Sequence, residues 1–447
     1  MPAIITNAFR TYNADNFISA FATNKMYLMI GKADSWSGAD LGQYSESSPS
    51  DTSIPVPIDT TLAPYIHHND MIAAKLINTS DVSHVIKRTD WTSGTVYAEY
   101  SHLQDDQIDQ DFFVMTDQFN VYKCISNYGG TTSTSKPTGQ TIGIFDTPDN
   151  YRWKFMYEVQ QADVLKYVTT DWIPVKYLTS NDGTAQWTTQ QAAVDGALEH
   201  IDITSGGTGY VNTNTGTSLA GSTSITIVLA ATASATDDIY NGMTIYISSG
   251  TGSGQIKVIT DYVGSTKIAT VSAWTTNPDT TSVYEIMPAV AITDADPEGS
   301  GTGAAARCSS VVGGVIKKIA MTAVGSGWRM ATAVLTGGGG TGCVLEPRIG
   351  PKNGHGKNAK VELGGAFVMM NVRLVGTEGG DFATGDDFRK VILIANPLAS
   401  GAAATATTYT GAGLSNELDN DSGQMIYIEY RAPINRASDQ TEDVKLV

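Results

Sequence analysis

The stretch "HIDITSGGTGY" at His200–Tyr210 decides how this chain is organised, because its outline returns as "KIAMTAVGSGW" at Lys318–Trp328. Matching positions hold an aliphatic residue, a glycine or a closing aromatic residue: Ile201 and Ile319, Ile203 and Met321, Gly207 and Gly325, Gly209 and Gly327, Tyr210 and Trp328. Alternate residues of a strand share a face, and glycine supplies turns with positive φ. The echo therefore predicts a structural unit used twice, with the aromatic residue capping an apolar layer, rather than a ligand-binding loop.

The echo lies towards both ends of a region, residues 196–350, whose composition differs from the rest of the chain. Glycine and threonine dominate there and aromatic residues thin out. Between 212 and 285, short alternating apolar and polar runs separated by turn residues predict a small β-module nested within the first copy. The first copy then resumes, so that Ala289–Thr293 parallels Ala331–Thr336. We interpret 196–350 as an all-β insertion.

The two flanks, residues 1–195 and 351–447, share a mixed pattern with longer apolar runs. Helical spacing predicts a short helix over "ADNFISAFA" and a second over "TSDVSHVIKR", the latter capped by Ser80. Strands are predicted for "KMYLMIGKA", "YRWKFMYEV", "AFVMMNVRLV", "DFRKVILIANPL" and "GQMIYIEYRAPI", and a hairpin around Asp117–Asn120 is predicted for "FFVMTDQFNVYKCIS". The run "ASGAAATATTYTGAGLSNELDNDSG" is interpreted as a mobile surface loop. The expected fold class is β-rich α+β, with a discontinuous mixed core domain that the insertion interrupts.

Composition and charge restrict the function. Acidic residues outnumber basic ones by 45 to 28 in 447 residues, for a formal charge of −17, which disfavours contact with nucleic acid. No apolar run approaches the roughly 18–20 residues that span a bilayer, and the start lacks a signal-peptide pattern. We expect a protein made in the cytosol, without a membrane segment. Cys124, Cys308 and Cys343 are widely spaced, which favours buried thiols over a disulfide framework.

Three motifs resemble ligand sites but lack the residues that would complete them. "GGGGTG" at Gly337–Gly342 has dinucleotide-binding spacing, yet two prolines follow where a helix would have to begin, so a turn is expected. "DADPEG" at Asp294–Gly299 begins like a calcium loop, but Ala305 stands where the bidentate glutamate belongs. His67 and His68 are neighbours whose side chains diverge. We predict no enzymatic activity, no cofactor and no metal.

Four aromatic residues of the nested module leave two interpretations open: Tyr246, Tyr262, Trp274 and Tyr284. If exposed, they would form a sugar-stacking platform and give the insertion a glycan contact. If they face inward, they form the core of the module, which is the interpretation that we favour.

The flanks, unlike the middle, resemble a known family. The similarity is carried by blocks in a fixed order: "ITNAFRTYNADNFISAF", "MYLMIGKADSWS", "VIKRTDW", "FNVYKCIS", "DNYRWKFMYEV", "DFRKVILIANPL" and "SGQMIYIEYRAPINRASDQTEDVKL". In this order they resemble the dimeric baseplate wedge subunit of T-even-type contractile-tailed bacteriophages, over residues 4–180 and 364–447. The closing "YRAPI" with "DQTED" is the most distinctive part. The region between about 195 and 350 has no counterpart in the shorter family members.

The resemblance implies a non-enzymatic structural protein of the virion tail baseplate, a homodimer that joins other wedge subunits around the tail hub. Residues expected in packing and partner contacts are aromatic, are arginine or belong to the closing motif: Phe9, Arg10, Trp36, Trp91, Trp153, Arg431, Pro433, Asp439, Gln440 and Thr441. The alternative is a surface glycan-binding or host-adhesion protein of a virion, which rests on the β-modules and their tyrosines.

Overall fold

The chain forms two compact units in a computed structural model that describes residues 6–31, 67–68, 71–104, 110–374, 388–410, 417–420, 422–434 and 442–447. The first unit takes Met1–Arg88, Val159–Tyr177 and Leu363–Val447, and the second takes Thr89–Glu158 and Leu178–Glu362. Strands predominate in both units and short helices accompany them, so the predicted β-rich α+β class is confirmed. The insertion expected at 196–350, the module expected at 212–285 and the core parts on either side stay predictions.

In the first unit, helix α1 (Asn7–Thr23) begins earlier than the sequence pattern predicts. Its N-cap is Thr6, whose Oγ1 accepts a hydrogen bond from the N–H of Phe9 at 3.3 Å. This bond satisfies one of the N–H groups that the first turn leaves without a partner in the helix. Towards the other end of the helix, Phe21 is buried in the hydrophobic core.

A five-stranded antiparallel sheet forms the centre of the first unit. Its strands, in sheet order, are β24 (Thr408–Thr410), β2 (Met71–Ile77), β1 (Met26–Gly31), β21 (Phe388–Ala395) and β25 (Gln424–Ile434). All residues of β1 are buried, since Leu28 packs in a core on one face and Met29 packs in a second core on the other. Burial on both faces explains why this strand is a continuous apolar run in the sequence.

A second sheet of the first unit corrects one sequence prediction. Its strands, in sheet order, are β26 (Glu442–Leu446), β20 (Phe367–Leu374), β3 (Val82–Lys87) and β8 (Trp172–Pro174), and helix α2 (Gln161–Tyr167) precedes β8. The helix predicted over "TSDVSHVIKR" is wrong, because only Thr79–Asp81 forms a 3-10 turn before β3 begins. β3 pairs with β20 on one side and β8 on the other, and such tertiary pairing overrides a weak helical pattern.

The run predicted as a surface loop also contains regular structure. The strands β22 (Leu398–Ala399) and β23 (Ala402–Ala403) form a small hairpin, and β24 pairs with β2. Tyr409 of β24 is buried, with its ring 5.6 Å from that of Tyr27. The prediction of a loop is therefore wrong for this part, because a low-complexity sequence still supplies a buried aromatic residue. Residues 411–416 of the run lie outside the described residues.

In the second unit, a four-stranded sheet encloses an aromatic core. Its strands, in sheet order, are β4 (Phe113–Met115), β5 (Asn120–Ser126), β7 (Arg152–Glu158) and β6 (Ile144–Asp146), and helix α3 (Ala185–Ala192) packs against this core. The rings of Tyr151 and Trp153 stack with centroids 5.5 Å apart. The predicted hairpin of β4 and β5 and the predicted strand β7 are confirmed.

The rest of the second unit is a large antiparallel sheet. Its main path is β11 (Thr226–Val228), β14 (Ile268–Val271), β13 (Ile256–Val263), β12 (Met243–Ser249), β15 (Val283–Asp294), β18 (Ala331–Thr336), β19 (Thr341–Ile349) and β9 (Leu198–Thr208). Beside it lie β10 (Asn214–Thr217), β16 (Thr302–Val312) and β17 (Val315–Ser326), and the short helix α4 (Ala359–Glu362) follows. β15 pairs with β12 through its first half and with β18 through its second.

The echo in the sequence corresponds to equivalent strands, β9 and β17, which end in the same turn. β9 pairs with β19, and β17 pairs with β16. Gly207 and Gly325 adopt φ of 60° and 62°, and a Cβ there would lie within 2.5 Å of a backbone oxygen in the neighbouring strand. Tyr210 and Trp328 are both buried. The prediction of a structural unit used twice is confirmed.

Candidate assembly surface and buried polar sites

Strand β25 lies at the edge of its sheet among the described residues and carries a run of exposed apolar side chains. Three consecutive residues, Ile426, Tyr427 and Ile428, are exposed by 43%, 43% and 39%. Alternate residues of a strand point to opposite faces, so apolar side chains emerge on both sides of this edge. An apolar edge strand is a surface that soluble proteins usually cover or charge, which makes it a candidate for contact with another chain.

The sheet register explains why β25 is apolar on both faces. Ile428 lies opposite Ile392, and Ile392 lies opposite Met29 in the next strand, so this row continues one buried core. Tyr427 lies opposite Leu393, which belongs to the core on the other face. Strand β25 thus continues both cores, but its side chains are only partly covered by other described residues.

The N-terminal part of α1 forms a second exposed apolar patch in the first unit. Phe9 and Tyr12 are exposed by 51% and 61%, and residues three apart are neighbours on a helix surface. Arg10 is half-buried. The expectation that Phe9 and Arg10 contact a partner stays a prediction.

The other residues predicted for contacts divide into three groups. In the second unit, Trp91 is half-buried against the aromatic core, and Trp153 is fully buried inside it. Trp153 therefore packs within its own chain and is corrected from a surface contact to a core residue. Arg431 and Pro433 belong to β25, whose backbone alone is described there. Trp36, Asp439, Gln440 and Thr441 lie outside the described residues.

The glycine run at Gly337–Gly342 is a close-packing site. A Cβ on Gly340 would lie 2.3 Å from Cγ of Tyr210, and one on Gly337 would lie 2.7 Å from the carbonyl carbon of Gly242. The N–H of Val211 donates to the carbonyl of Gly338 at 2.8 Å. A strand, not a helix, follows the run, which confirms the predicted turn and removes the helix N-terminus that a pyrophosphate would need.

Three of the four aromatic residues singled out in the predicted module face inward. Tyr262, Trp274 and Tyr284 are buried in one core cluster. Tyr246 is half-buried beneath the guanidinium of Arg307, which lies 4.2 Å from its ring centroid. The core interpretation of the three buried rings is confirmed, so they offer no platform on which a sugar could stack.

A cavity of about 530 Å³ in the second unit is lined by charged side chains and by aliphatic ones such as Ile203 and Ile319. Arg348 donates through Nε to Oδ2 of Asp202 at 2.6 Å and through Nη2 to Oε1 of Glu99 at 3.3 Å. His200 Nε2 lies 2.7 Å from the other oxygen of Asp202. The charges thus form a network that ties the segment around Glu99 to strands β9 and β19.

The pKa values in this network are set by burial and by the charges around Arg348. Burial, the charge of Asp202 and a hydrogen bond to Asp202 raise the pKa of Glu99 to about 7. Burial opposes ionisation of Asp202 as well, but hydrogen bonds and charges from His200 and Arg348 lower its pKa to about 2. Burial lowers the pKa of His200. Asp202 therefore stays ionised beside Arg348 near neutral pH, while Glu99 takes up a proton as pH falls through about 7.

A second polar cluster lies deeper in the same unit. The ammonium of Lys123 pairs with the carboxylate of Glu362, and both side chains are almost completely buried. The ring of Tyr100 lies with its centroid 4.7 Å from Nζ of Lys123. His355 packs edge-on against Tyr100 at 4.8 Å, and its Nε2 lies 3.9 Å from Oε2 of Glu199. Burial is the main cause that lowers the pKa of both Lys123 and His355.

Sequence reasoning missed both polar clusters. Their members stand far apart in the sequence, as Lys123 and Glu362 do, so no local spacing predicts that they come together. The one available signal is the presence of charged residues inside otherwise apolar strand patterns, such as Lys123 in "NVYKCIS". A charge in a buried strand requires a partner, but only the fold shows which one.

The remaining motifs are structural. The carboxylate of Asp294 accepts hydrogen bonds from the N–H groups of Asp296 and Gly301, at 2.9 and 2.8 Å, which closes the turn after β15. Among the described residues there is no group of three His, Cys, Asp or Glu side chains arranged to hold a metal. Cys124 and Cys308 are buried thiols, as predicted, and Cys343 is half-buried. In the described ranges, no helix combines the length and apolarity needed to cross a membrane.

Comparison with known proteins links the C-terminal part of the chain to one family. A family model described as Bacteriophage T4, Gp8 matches residues 371–447. The match supports a relation to a phage baseplate wedge protein, and with it a structural role in a virion tail and contact with other baseplate proteins. No curated protein matches the chain. The matched segment contains β21, β25 and β26, and so includes the exposed edge strand.

Proposed function

We propose that this chain is a structural subunit of a contractile-tail baseplate wedge, which acts by assembling as a homodimer and by contacting other wedge subunits around the tail hub. The observation that carries the proposal is the match of residues 371–447 to the Gp8 family. The exposed apolar edge β25 lies within this segment and supplies a surface suited to a subunit contact. We infer no enzymatic role, because the charged side chains of the cavity pair with one another and tie strands together.

The β25 edge supports a contact through apolar burial. Interfaces of stable homodimers are enriched in apolar and aromatic residues, and burying a side chain such as isoleucine stabilises by about 1.5–3 kcal/mol. Ile426, Tyr427 and Ile428 are of this type and stand in a row. The proposal extends to Phe9 and Arg10 on α1 as further contact residues.

Light scattering during size-exclusion chromatography tests the self-association. The purified chain is expected to have the mass of a dimer, and to co-elute with other wedge proteins of the same phage. The double variant Ile426→Lys and Ile428→Lys places two charges on the edge and should shift the protein towards the monomer. The matched control, Val258→Lys, alters an exposed aliphatic residue of β13 and should leave the dimer unchanged.

A strictly monomeric chain that co-elutes with none of the wedge proteins would contradict the proposal. A dimer that survives both lysines would assign the contact to another surface, with Phe9→Ala and Tyr12→Ala as the next variants. The alternative of a glycan-binding adhesin rested on the aromatic residues of the nested module. Because three of these are buried, no described feature now favours it.

A further inference from the structure

The buried pair of Lys123 and Glu362 has surroundings that favour chemistry between its two members. The side chains are 0% and 3% exposed, and the ring of Tyr100 covers the amine with its centroid at 4.7 Å. Burial lowers the pKa of Lys123, although the charge of Glu362 opposes this shift. One proton transfer within the pair converts ammonium and carboxylate into a neutral amine beside a carboxylic acid. A neutral amine has the free electron pair that makes lysine a nucleophile.

The carboxyl group of Glu362 is held as an acceptor of two backbone hydrogen bonds. The N–H of Gly356 donates to its Oε2 at 3.0 Å, and the N–H of Asn358 donates to its Oε1 at 3.1 Å. Backbone donors on both oxygens stabilise negative charge there, as an oxyanion hole stabilises the tetrahedral intermediate of acyl transfer. They also hold the carboxyl group beside the amine of Lys123, which replaces a bimolecular encounter by a positioned one.

A third buried group, Glu199, is suited to move the protons. Burial raises the pKa of Glu199, and the charges of Lys154 and Lys123 oppose this shift. Its Oε2 is buried without a hydrogen-bond partner among the described residues. The neighbouring His355 stays neutral, because burial lowers its pKa well below the ordinary value. Glu199 interacts electrostatically with Lys123 and Glu362 and lies 3.9 Å from His355, and a buried carboxyl group in such a cluster can donate one proton and accept another.

We propose that Lys123 and Glu362 condense autocatalytically to an isopeptide bond. The ammonium of Lys123 passes a proton to Glu362, the amine nitrogen attacks Cδ of the resulting carboxylic acid, a C–N bond forms, and the oxyanion is stabilised by the N–H groups of Gly356 and Asn358. Glu199 protonates the departing hydroxyl group, the C–O bond breaks and water leaves. The carboxylate of Glu199 then takes the proton from the nitrogen. The balance is one amine and one carboxylic acid converted to one amide and one water, with no oxidant or co-reactant.

Such a bond would close the chain between β5 and α4 into a covalent loop. The two residues are 239 positions apart, so the loop would include β7, the large sheet and the nested module. A cross-link between distant positions lowers the entropy of the unfolded chain and so favours the folded state. The bond would hold β5 and α4 together independently of their non-covalent contacts.

Intact mass spectrometry of the denatured full chain tests the proposal. The expected mass is that of the sequence minus one water, and protease digestion should yield a branched peptide that joins Lys123 to Glu362. A wild-type chain with the full mass of its sequence, and with separate peptides at these positions, would overturn it. A loss of water located at another residue pair would overturn it equally.

Three variants keep the test sharp. Lys123→Met removes the nucleophile while keeping a side chain of similar length, so the full mass should return. Glu362→Gln offers an amide that loses ammonia, so its cross-linked product should have the same mass as the wild-type product. Glu199→Gln removes the proton carrier and should slow the appearance of the branched peptide in freshly folded protein. Cross-linking that is equally fast in this variant would contradict the role given to Glu199.

Discussion

At the scale of single residues, the chain uses glycine for close packing and buried charge for joining strands. Gly340 lies against the ring of Tyr210, and Gly301 lies in the same way against that of Trp328, where a Cβ would be 2.5 Å from the indole. Both aromatic residues close the turn of one copy of the repeat. The glycines are therefore required by the volume of a neighbouring ring, which is a steric and not a chemical role.

The substitution Gly340→Ala tests this steric role. The added methyl group would lie 2.3 Å from Cγ of Tyr210, so the ring or the turn must move. Overpacking of this kind costs about 1–3 kcal/mol of the free energy of unfolding. Gly143→Ala is the matched control, because a Cβ there meets no atom within 4 Å. Urea unfolding should separate the two variants, and equal midpoints would contradict the packing role.

The carboxyl pair makes stability depend on pH in a defined direction. The pKa of Glu99 is raised to about 7, above the ordinary value of a glutamate. The folded form therefore loses stability as pH rises from that ordinary value to about 7. A glutamine at this position cannot ionise and can still donate a hydrogen bond to Asp202. We expect Glu99→Gln to gain about 1–2 kcal/mol on the wild type between pH 5 and pH 8, after allowance for solvent screening.

Asp202 and His200 also make the unfolding free energy depend on pH, in the direction opposite to Glu99. Comparing Glu99→Gln with the wild type removes their contributions. Asp202, with its pKa lowered to about 2, loses its stabilising contribution only as pH falls below its ordinary range. His200, with its pKa lowered by burial, loses its contribution as pH falls through its ordinary value. Both groups are present in the two proteins. If the unfolding free energies of Glu99→Gln and the wild type change in parallel between pH 5 and pH 8, the raised pKa of Glu99 is contradicted.

At the scale of elements, periodicity identified strands better than it separated them from short helices. β1, β7 and β21 were predictable because they are long apolar runs. The segment now seen as β3 was not, because Val82, Val85 and Ile86 fit either a helical face or a buried strand, and pairing with β20 decided between them. The small strand β24 was not predictable, because it lies in a run of small polar residues and alanines. Tyr409 was the one residue of this strand that indicated burial.

The module predicted at 212–285 should depend on its aromatic core, which the substitution Trp274→Ala tests. Trp274 is buried in the cluster with Tyr262 and Tyr284, and removal of a buried tryptophan side chain costs about 3–5 kcal/mol. Hydrogen exchange between residues 214 and 286 should accelerate, while exchange in the first unit stays unchanged. Val258→Ala, at an exposed site, should change stability by about 0.5 kcal/mol or less. Unchanged exchange in Trp274→Ala would contradict the core role.

At the scale of the whole molecule, the proposed nesting of the module makes it removable. Asn214 of β10 lies opposite Ile286 of β15, so the two ends of the module are adjacent in one sheet. We expect a chain in which a short glycine–serine turn replaces residues 214–286 to fold and to have the mass of the proposed dimer. Thr213 must stay, because its Oγ1 accepts a hydrogen bond from the N–H of Val311 at 2.9 Å.

Circular dichroism and light scattering check this deletion. Two outcomes would contradict an independent module: failure of the shortened chain to fold, and loss of the dimer. A shortened chain that folds and dimerises would place the assembly contacts outside the module, as the match of residues 371–447 suggests.

The sequence by itself determined the β-rich class, the twice-used unit and the resemblance that led to a baseplate role, because each of these rests on local periodicity or on the order of motifs. It also predicted the turn at Gly337–Gly342 from the residues that follow. Only the tertiary structure decided that Trp153 lies in a core, that Ile426 and Ile428 stand at an edge, and that Lys123 meets Glu362. Burial and pairing between distant residues depend on the path of the whole chain, and no local pattern carries that path.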